Sequence, residues 1–327
     1  MKIEITNFNM IPHAEVELNG LTVIAGENDT GKSTIGKLLF SIIKEANRYN
    51  FNRGRTNVLD LVFENYSSSE AVIRLEFENE DYMILGTQNG LLPIQGSLKS
   101  FEFREATYIE SPVVWSLIDF FTSVGKLREE DSMYGIESEL NYPYLLWDLY
   151  RKLIVKRKVS SSEESDYSRI SKEINHIVGG DFQRTLERFS FNRISDHIQF
   201  PISTIATGIK SFGILSVLIQ NQHIYPGSIL IIDEPEVHLH PKWEVEYAKI
   251  ICWLAEQGVK IVVTTHSLYM VKALREFSKS IPKQTHFYLT HKEFDESVSI
   301  ENVTQEIHKI FKKFADPLQD IAWRNKL

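Results

Sequence analysis

A glycine-rich segment near the start of the chain carries residue types that together bind phosphate. It reads Gly26-Glu27-Asn28-Asp29-Thr30-Gly31-Lys32-Ser33 and fits the pattern G-x-x-x-x-G-K-[ST]. Glycines let backbone N–H groups curl around a β-phosphate, while the Lys32 ammonium reaches the β- and γ-phosphates and the Ser33 hydroxyl ligates Mg²⁺. The pattern predicts a nucleotide site, and a chance glycine turn before a helix is the alternative. The candidate nucleotide-binding residues are Gly26, Asn28, Asp29, Thr30, Gly31, Lys32, Ser33 and Thr34.

Two adjacent carboxylates follow an apolar, β-branched run later in the chain. Ile229–Ile232 leads into Asp233 and Glu234. Pro235 then stops the strand, because proline has no N–H to continue the ladder. A buried strand that delivers a carboxylate beside a phosphate-binding loop supplies a Mg²⁺ ligand, and Asp233 is the candidate. Glu234 suits a base that activates the attacking water, whereas the alternative is an acidic turn after a core strand.

A histidine ends the next apolar strand pattern. His266 directly follows the run Lys260–Thr265. Parallel sheets collect ligand groups at the carboxyl ends of their strands, so we expect the imidazole to lie near the γ-phosphate or the attacking water. Glu234, His266 and Lys32 therefore form the candidate catalytic set. A structural histidine without a catalytic part is the alternative.

These residues need a sheet that brings strand ends together, and the hydrophobic pattern predicts one. Apolar and polar residues alternate along the first 34 positions as in strands, and from Ile35 to Ala46 apolar residues recur at helical spacing. Further strands are predicted at 71–86, 106–109, 229–232 and 260–265, and helices at 113–130, 144–158 and 167–178. Alternating strands and helices, with strands buried on both faces, indicate an α/β fold that contains a parallel sheet.

Composition excludes several classes of protein. The chain has 327 residues, of which 43% are hydrophobic and 24% charged, and its formal charge is −8. These values are ordinary for a globular protein and exclude a disordered chain or a coiled-coil rod. No apolar run approaches the roughly 18 residues that span a bilayer, and the N-terminus has no signal-peptide pattern. The single cysteine, Cys252, excludes a disulfide framework, and we expect a cytoplasmic protein with no membrane partner.

The motifs resemble those of the ABC-type ATPases, and more closely the branch that contains RecF, SMC and OLD proteins. Besides the phosphate-binding loop, the resemblance rests on the segments Ile205–Ser211, Asp233–Pro241 and Thr264–Ser267. It covers about 1–110 and 181–290. The resemblance implies an α/β fold of the ABC-type P-loop ATPase head, with an antiparallel β subdomain and a helical insertion. It also implies ATP and Mg²⁺ as cofactors.

The resemblance further implies a domain organisation. Proteins of this class carry a helical insertion between the two nucleotide motifs, and we place it at about 112–190 within a single head of residues 1–327. Just before the insertion, Glu110 stands where the family has a glutamine that relays metal occupancy. Glu110 thereby joins Ser33 and Asp233 as a candidate metal ligand, and an ordinary acidic strand end is the alternative.

The segment Ile205–Ser211 resembles the signature of this family, which closes over ATP held by a second subunit. The resemblance implies a homodimer or a higher homo-oligomer, in which Thr207 and the Gly208 N–H contact a γ-phosphate from the start of a helix. Ala206 stands where the family has a serine and has no hydroxyl, which leaves the strength of ATP-driven closure open. A polar turn that caps a buried helix is the alternative.

Two weaker features concern partners. Basic residues gather at 151–158, where they either contact nucleic acid or are merely solvated at a helix end. His238 and His240 lie in a loop that the family uses for subunit contacts, so we favour an interfacial role over zinc binding. The acidic net charge favours a protein partner over nucleic acid.

The function that these features predict is Mg²⁺-dependent ATP binding and hydrolysis that drives head dimerisation and controls a separate effector. About 35 residues follow the last strand in the pattern, too few for the TOPRIM nuclease domain that OLD-like proteins often carry. We therefore expect a nuclease or toxin encoded separately, in a bacterial antiphage or toxin–antitoxin-like system. The alternatives are a RecF-like DNA-binding ATPase of repair or chromosome maintenance, and a nucleotide-gated scaffold that scarcely hydrolyses ATP.

Overall fold

A computed structural model describes residues 1–50, 58–63, 70–77, 82–86, 94–97, 105–133, 143–158, 167–185, 188–281 and 285–324. Two compact units make up the chain, one formed by residues 1–108 with 226–327 and the other by residues 109–225. The turn predicted near 79–81 lies outside the described residues.

The strands and helices follow one another in groups along the first part of the chain and alternate from β11 to β13. The strands are β1 (Lys2–Phe8), β2 (Ile11–Glu17), β3 (Leu21–Gly26), β4 (Val72–Glu76), β5 (Tyr82–Gly86), β6 (Ile94–Ser97), β7 (Ala106–Ile109), β8 (Gly180–Thr185), β9 (Arg188–Arg193), β10 (Gln199–Pro201), β11 (Ile229–Asp233), β12 (Lys260–Thr265), β13 (Thr285–Lys292) and β14 (Val298–Asn302). The α-helices are α1 (Lys32–Asn50), α2 (Val58–Val62), α3 (Ile118–Met133), α4 (Tyr144–Ile154), α5 (Ser168–Val178), α6 (Thr207–Gln220), α7 (Pro241–Glu256), α8 (Leu268–Phe277) and α9 (His308–Arg324). Short 3₁₀-helices lie at Pro112–Leu117, Ile202–Thr204 and Ser278–Ser280.

The first unit is built around a mixed sheet with the order β14-β13-β3-β12-β11-β7 among the described strands. β11, β12, β3 and β13 run parallel, and β14 pairs antiparallel with β13. Every residue of β3 and of β12 is buried, as their apolar and β-branched sequences predict for strands covered on both faces. The α/β prediction is confirmed, and the carboxyl ends of three adjacent strands meet at one edge.

A second, antiparallel sheet belongs to the same unit, with the order β2-β1-β4-β5-β6. Strands β1, β4 and β5 alternate in burial as one-sided strands do: in β1, Ile3, Ile5 and Phe8 are buried while the residues between them reach solvent to varying degrees. The antiparallel β subdomain implied by the family resemblance is thereby confirmed.

The described residues of the second unit form helices α3 to α6 and an antiparallel sheet with the order β10-β9-β8. α6 is buried along nearly its whole length. Gly213 of this helix lies so close to Phe182 that an added Cβ would come within 2.6 Å of the ring. Among the described residues, no helix combines the length and the apolar character that crossing a bilayer requires.

The second unit departs from the sequence pattern in its helix ends. The helix predicted at 113–130 begins as a 3₁₀-helix, because Pro112 stands at its first turn and the Ser111 hydroxyl accepts the Val113 N–H at 3.2 Å. The helix predicted at 144–158 ends at Ile154, since Val155 has an extended backbone (φ −115°, ψ 120°).

Strands β8 and β9 were not predicted, although they fall at the end of the segment assigned to the insertion. Gly179 ends α5 in the left-handed conformation (φ 70°), and Gly180 then passes Phe191 so closely that a Cβ would lie 2.3 Å from the ring. Short strands set by such a close approach give little periodic signal. The placement of a helical insertion at about 112–190 within one head stays a prediction.

Candidate nucleotide site

The glycine-rich loop leaves β3 at the edge where the parallel strands end. Gly26 is required there because an added Cβ would lie 2.0 Å from the Thr290 hydroxyl of β13. Two loop residues, Asp29 (φ 60°) and Gly31 (φ 73°), adopt the left-handed conformation, which turns the chain into the start of α1 at Lys32. The loop, its strand and its helix therefore have the local geometry that the phosphate-binding motif predicts.

Lys32 points its ammonium into the site, although the side chain is only 4% exposed. Its Nζ donates to the Glu27 carbonyl oxygen at 2.6 Å and lies 3.4 Å from Oε1 of Glu234. The ammonium is thus held at the mouth of the loop by two oxygen acceptors. This contact joins the loop to the carboxylate pair, which lies about 200 residues later in the sequence.

Asp233 accepts hydrogen bonds from three hydroxyl groups. Ser33 Oγ donates to Oδ1 at 2.9 Å, Thr264 Oγ1 also donates to Oδ1, and the Tyr108 hydroxyl donates to Oδ2 at 2.8 Å. These donors come from α1, β12 and β7, so the carboxylate is fixed from three directions. The two metal ligands predicted in this unit, Ser33 and Asp233, are therefore in direct contact.

Glu234 sits in an unusual backbone conformation. Its φ of 46° is left-handed, which is rare for a residue with a side chain and which the surrounding structure has to enforce. The Glu234 N–H donates to both the carbonyl oxygen and the hydroxyl of Thr264 at 3.1 Å. The hydrogen bond from His266 is the main cause that lowers the pKa of the Glu234 carboxyl, and Lys32 adds to it against partial burial.

His266 lies between two carboxylates. Its Nδ1 is 3.4 Å from Oε1 of Glu234 and 3.3 Å from Oε1 of Glu236. The hydrogen bond with Glu234 raises the pKa of the imidazole, and the charge of Glu236 acts in the same direction. The side chain is 40% exposed, so the ring reaches solvent while its Nδ1 faces inward. Lys32, Glu234 and His266, the three catalytic candidates, thus form one chain of contacts.

Residues of the C-terminal part of the chain contact the phosphate-binding loop. Lys292 Nζ donates to Asp29 Oδ2 at 2.9 Å, and Lys313 Nζ lies 3.3 Å from Oε1 of Glu27. The buried Thr30 hydroxyl contacts the Thr290 hydroxyl at 2.6 Å. Asn28 is exposed, and Thr34 is half-buried in the first turn of α1.

Several residues of the site escaped the sequence reasoning, Glu236 above all. Tyr108, Thr264 and Thr290 belong to apolar strand patterns that give no sign of a polar role. Glu236 was visible only as part of the segment Asp233–Pro241, and nothing in its spacing indicates that it is buried or that it contacts His266. A buried acid becomes recognisable only once its partners are known.

The remaining candidates belong to the unit of residues 109–225. Thr207 and Gly208 begin α6, whose N-cap is Ala206 without a side-chain hydrogen bond. Glu110 follows β7 directly. The roles assigned to these three positions stay predictions.

Two of the basic residues at 151–158 contact other residues of their own unit. The buried Lys152 pairs with Asp148 at 2.8 Å. Arg157 donates to the Gln222 carbonyl oxygen at 3.0 Å and lies 3.8 Å from the centre of the Tyr225 ring. Two of the cations that suggested a nucleic-acid surface therefore stabilise this unit itself.

His240 has a capping role. Its Nδ1 accepts the Lys242 N–H at 3.2 Å at the start of α7. His238 is exposed and has a left-handed backbone (φ 76°). The capping contact gives His240 a structural function that needs no zinc.

Comparison with known proteins identifies relatives by sequence. A family model described as an AAA ATPase domain matches residues 1–184. A second model, described as an AAA domain and naming the AbiEii toxin and the Type IV TA system, matches residues 123–272. The chain is also similar to the Septu protein PtuA of Bacillus thuringiensis, with 24% identity over 287 residues that make up 78% of this chain and 68% of that protein.

Three solved structures that resemble this fold are heads of SMC proteins. The SMC head domain from Thermotoga maritima superposes with a TM-score of 0.51 at 13% identity and covers 92% of this chain and 98% of its own. An SMC head bound to the C-winged helix domain of ScpA gives 0.55 at 12% identity, covering 94% and 98%. A head bound to the C-terminal domain of ScpA derived from Pyrococcus furiosus gives 0.54 at 13% identity, covering 95% and 98%.

The structural comparison and the family model establish different things, the fold and the family. At these identities the structural likeness shows the fold alone, an SMC head-like α/β fold with mixed sheets. The AAA ATPase domain model matches more than half of the sequence and includes the phosphate-binding loop. The chain belongs to the AAA ATPase domain family.

Proposed function

We propose that this chain binds ATP with Mg²⁺ and hydrolyses it at the edge formed by β3, β11 and β12. The observation that carries the proposal is the convergence of Lys32, Glu234 and His266, which come from three separate motifs and form one chain of contacts. Phosphoryl transfer to water needs a cation for the phosphates, a metal ligand and a group that positions the water. All three types of group are within reach of the loop.

Asp233 and Ser33 fit a magnesium ion through the chemistry of their oxygen atoms. Mg²⁺ is a hard cation that prefers carboxylate and hydroxyl oxygens together with phosphate oxygens. The Ser33 hydroxyl and the Asp233 carboxylate are adjacent, and Tyr108 and Thr264 fix the carboxylate. When bound, the metal would neutralise charge on the β- and γ-phosphates.

ATP would change the partners of Lys32. The ammonium has the Glu27 carbonyl oxygen and the Glu234 carboxylate as acceptors. Phosphate oxygens accept strong charge-assisted hydrogen bonds, so we expect them to draw Lys32 from Glu234. Glu234 is then free to accept a proton from the attacking water. The pairing of Lys32 with Glu234 keeps the base occupied until a nucleotide takes the lysine.

His266 would act on the phosphate or the water from its exposed side. Its Nδ1 faces the carboxylates of Glu234 and Glu236, so Nε2 is the ring nitrogen for substrate. A proton on Nε2 could be donated to a γ-phosphate oxygen as charge builds up there. We keep Glu234, His266 and Lys32 as the catalytic residues of the proposed reaction.

We further propose that ATP drives pairing of two heads and that the pair controls a separate effector, a nuclease or a toxin, in a bacterial defence system. The likeness to a Septu protein and to a family whose description names a toxin and a TA system supports this assignment. A related fold bound to a domain of another protein supports a protein partner. Glu110, Thr207 and Gly208 keep their proposed roles in the metal response and at the second subunit, and the cytoplasm is the proposed location.

Hydrolysis and pairing can be tested on the purified full chain. We expect phosphate release from ATP in Mg²⁺, and a doubling of the mass measured by light scattering when Glu234→Gln is incubated with Mg²⁺ and ATP. Lys32→Ala with the same ligands is the matched control and should keep the mass of the chain alone. If wild type releases no phosphate at any protein concentration, hydrolysis is not its function; if Glu234→Gln keeps a single mass with ATP bound, pairing is not driven by ATP.

A further inference from the structure

Glu236 is a buried carboxylate with contacts on one oxygen only. Its Oε1 accepts the Thr265 hydroxyl and the His266 N–H, each at 2.7 Å, and lies 3.3 Å from His266 Nδ1. Its Oε2 is buried and has no hydrogen-bond partner among the described residues. The side chain is 5% exposed. One oxygen thus holds both the backbone and the ring of the candidate catalytic histidine.

The stability of the fold does not explain why an ionisable carboxyl group stands at position 236. Burial raises the pKa of Glu236, which means that the surroundings disfavour the ionised form. A glutamine of the same shape would accept the hydrogen bonds of Thr265 and His266 through its amide oxygen, at a smaller desolvation cost. The ring nitrogen of His266 is the contact that gains most from a negative partner.

The two carboxylates beside His266 differ in their freedom. Glu234 is shared among His266, Lys32 and, in the proposed reaction, the attacking water. The Glu236 carboxylate accepts hydrogen bonds from Thr265 and His266. Its backbone lies in a turn in which the Leu239 N–H donates to the Glu236 carbonyl oxygen at 2.8 Å. When Glu234 turns to the water, Glu236 remains as the fixed partner of the ring.

We propose that Glu236 is a positioning residue for ATP hydrolysis. Its Oε1 holds His266 by the backbone N–H and by Nδ1. The ring therefore keeps Nε2 directed to substrate while Glu234 accepts a proton from the attacking water. The inference rests on the proposed ATPase function and deepens it. Glu236 does not touch substrate and acts through His266 alone. The arrangement follows the same logic as an acid that orients a catalytic histidine from behind.

A double-mutant cycle tests whether Glu236 acts through His266. We expect Glu236→Gln to lower kcat by roughly tenfold, with KM for ATP within about twofold of wild type, because nucleotide contacts are untouched. In the His266→Ala background the same substitution should change kcat by less than about twofold, since the residue it acts on is gone. Rates are measured with ATP in excess over a high enzyme concentration for several hours, so that slow turnover is resolved.

A matched control separates this role from general support of the strand end. Glu244 is also buried, and its Oε2 accepts the hydroxyl of the neighbouring Ser267 without touching the His266 ring. Glu244→Gln should leave kcat within about twofold of wild type. Thr265→Val provides a second variant, because it loosens the Glu236 carboxylate without removing it, and its loss of kcat should also vanish with His266→Ala.

The outcomes distinguish the inference from the function on which it rests. Unchanged kcat in Glu236→Gln, or equal losses with and without His266, would overturn the positioning role while ATP hydrolysis stands. An equal loss in Glu244→Gln would overturn it as well, by showing that any buried acid at this strand end has the same effect. No phosphate release by wild type would remove both the ATPase function and the inference.

Discussion

Two helices of this chain begin at a predicted phosphate contact, and they are built in different ways. At the start of α1, Lys32 is buried to 4% exposure, and Ser33 bonds to a carboxylate that two further hydroxyls hold. At the start of α6, the N-cap Ala206 makes no side-chain hydrogen bond and is exposed. The nearby Lys210 turns back and donates to the Ser203 carbonyl oxygen at 2.9 Å.

The two helix starts can therefore do different things within one chain. α1 has a cation, a hydroxyl and carboxylates at its N-terminus, so it can bind a nucleotide within one chain. At the start of α6, the groups available to a phosphate are chiefly backbone N–H groups and Thr207. These groups complement a phosphate that is already bound, but they do not form a nucleotide site by themselves. In the proposed function, the start of α1 holds ATP and the start of α6 in a second copy responds to it.

The largest expected effect comes from removing the cation at the start of α1. Lys32→Ala should abolish measurable ATP binding, a loss of at least about 100-fold in affinity, because it removes the ammonium that the phosphate-binding motif supplies to the phosphates. Titration with a fluorescent ATP analogue in Mg²⁺ measures this. Lys37→Ala, on the same helix but past the first turn, is the matched control and should bind like wild type. Equal affinities of wild type and Lys32→Ala would discard the assignment of the loop.

The next effect separates binding from chemistry at the same helix start. Glu234→Gln should keep ATP affinity within about threefold and lower kcat by about 100-fold or more, since an amide cannot take a proton from water. A rate equal to that of wild type would mean that the water is activated by another group.

A smaller effect tests the support around Ser33. Tyr108→Phe removes one of three hydroxyl donors to Asp233 and should raise the Mg²⁺ concentration for half-maximal ATP binding about fivefold, because a hydrogen bond to a charged group is lost. Binding is followed with the fluorescent analogue while Mg²⁺ is varied. If Mg²⁺ dependence is unchanged, Tyr108 does not position the metal ligand.

The smallest expected effect comes from a substitution at the start of α6. Ala206→Ser adds a capping hydroxyl at the start of α6, where a serine stabilises a helix by about 1 kcal/mol, and it restores the residue that the family resemblance leads us to expect. We expect kcat at low protein concentration to rise about threefold, because pairing of two heads becomes easier. No change in kcat or in the concentration dependence of turnover would remove the start of α6 from the proposed reaction.

The sequence predicted the parts of the site in which local motifs decide the outcome. Glycines at 26 and 31, a lysine at a helix start and carboxylates at the end of a buried strand are recognisable from residue type and order alone. The parallel strands that bring Asp233 and His266 to one edge follow from apolar runs alone. The fold class could therefore be predicted without a structure, and Lys32, Glu234 and His266 could be chosen as catalytic candidates, whose roles stay predictions.

The parts that sequence could not supply depend on contacts between distant segments. Glu236 becomes a partner of His266 only through the path of the loop after β11. Thr290 and Lys292 reach the phosphate-binding loop because β13 pairs beside β3, and no motif marks them. Strands β8 and β9 depend on a close approach of Gly180 to Phe191, which has no periodic signature. Each of these features depends on tertiary packing between distant segments, which the local sequence pattern does not show.

The most direct test of ATP hydrolysis at the α1 site is phosphate release by the purified wild-type chain in Mg²⁺, compared with the same protein in excess EDTA. Asp233 and Ser33 form the proposed metal site beside Lys32, so turnover should need the metal. We predict steady phosphate release in Mg²⁺ and none above background in EDTA. Equal release in both buffers, or no release in Mg²⁺ across the whole range of protein concentration, would contradict the proposed function.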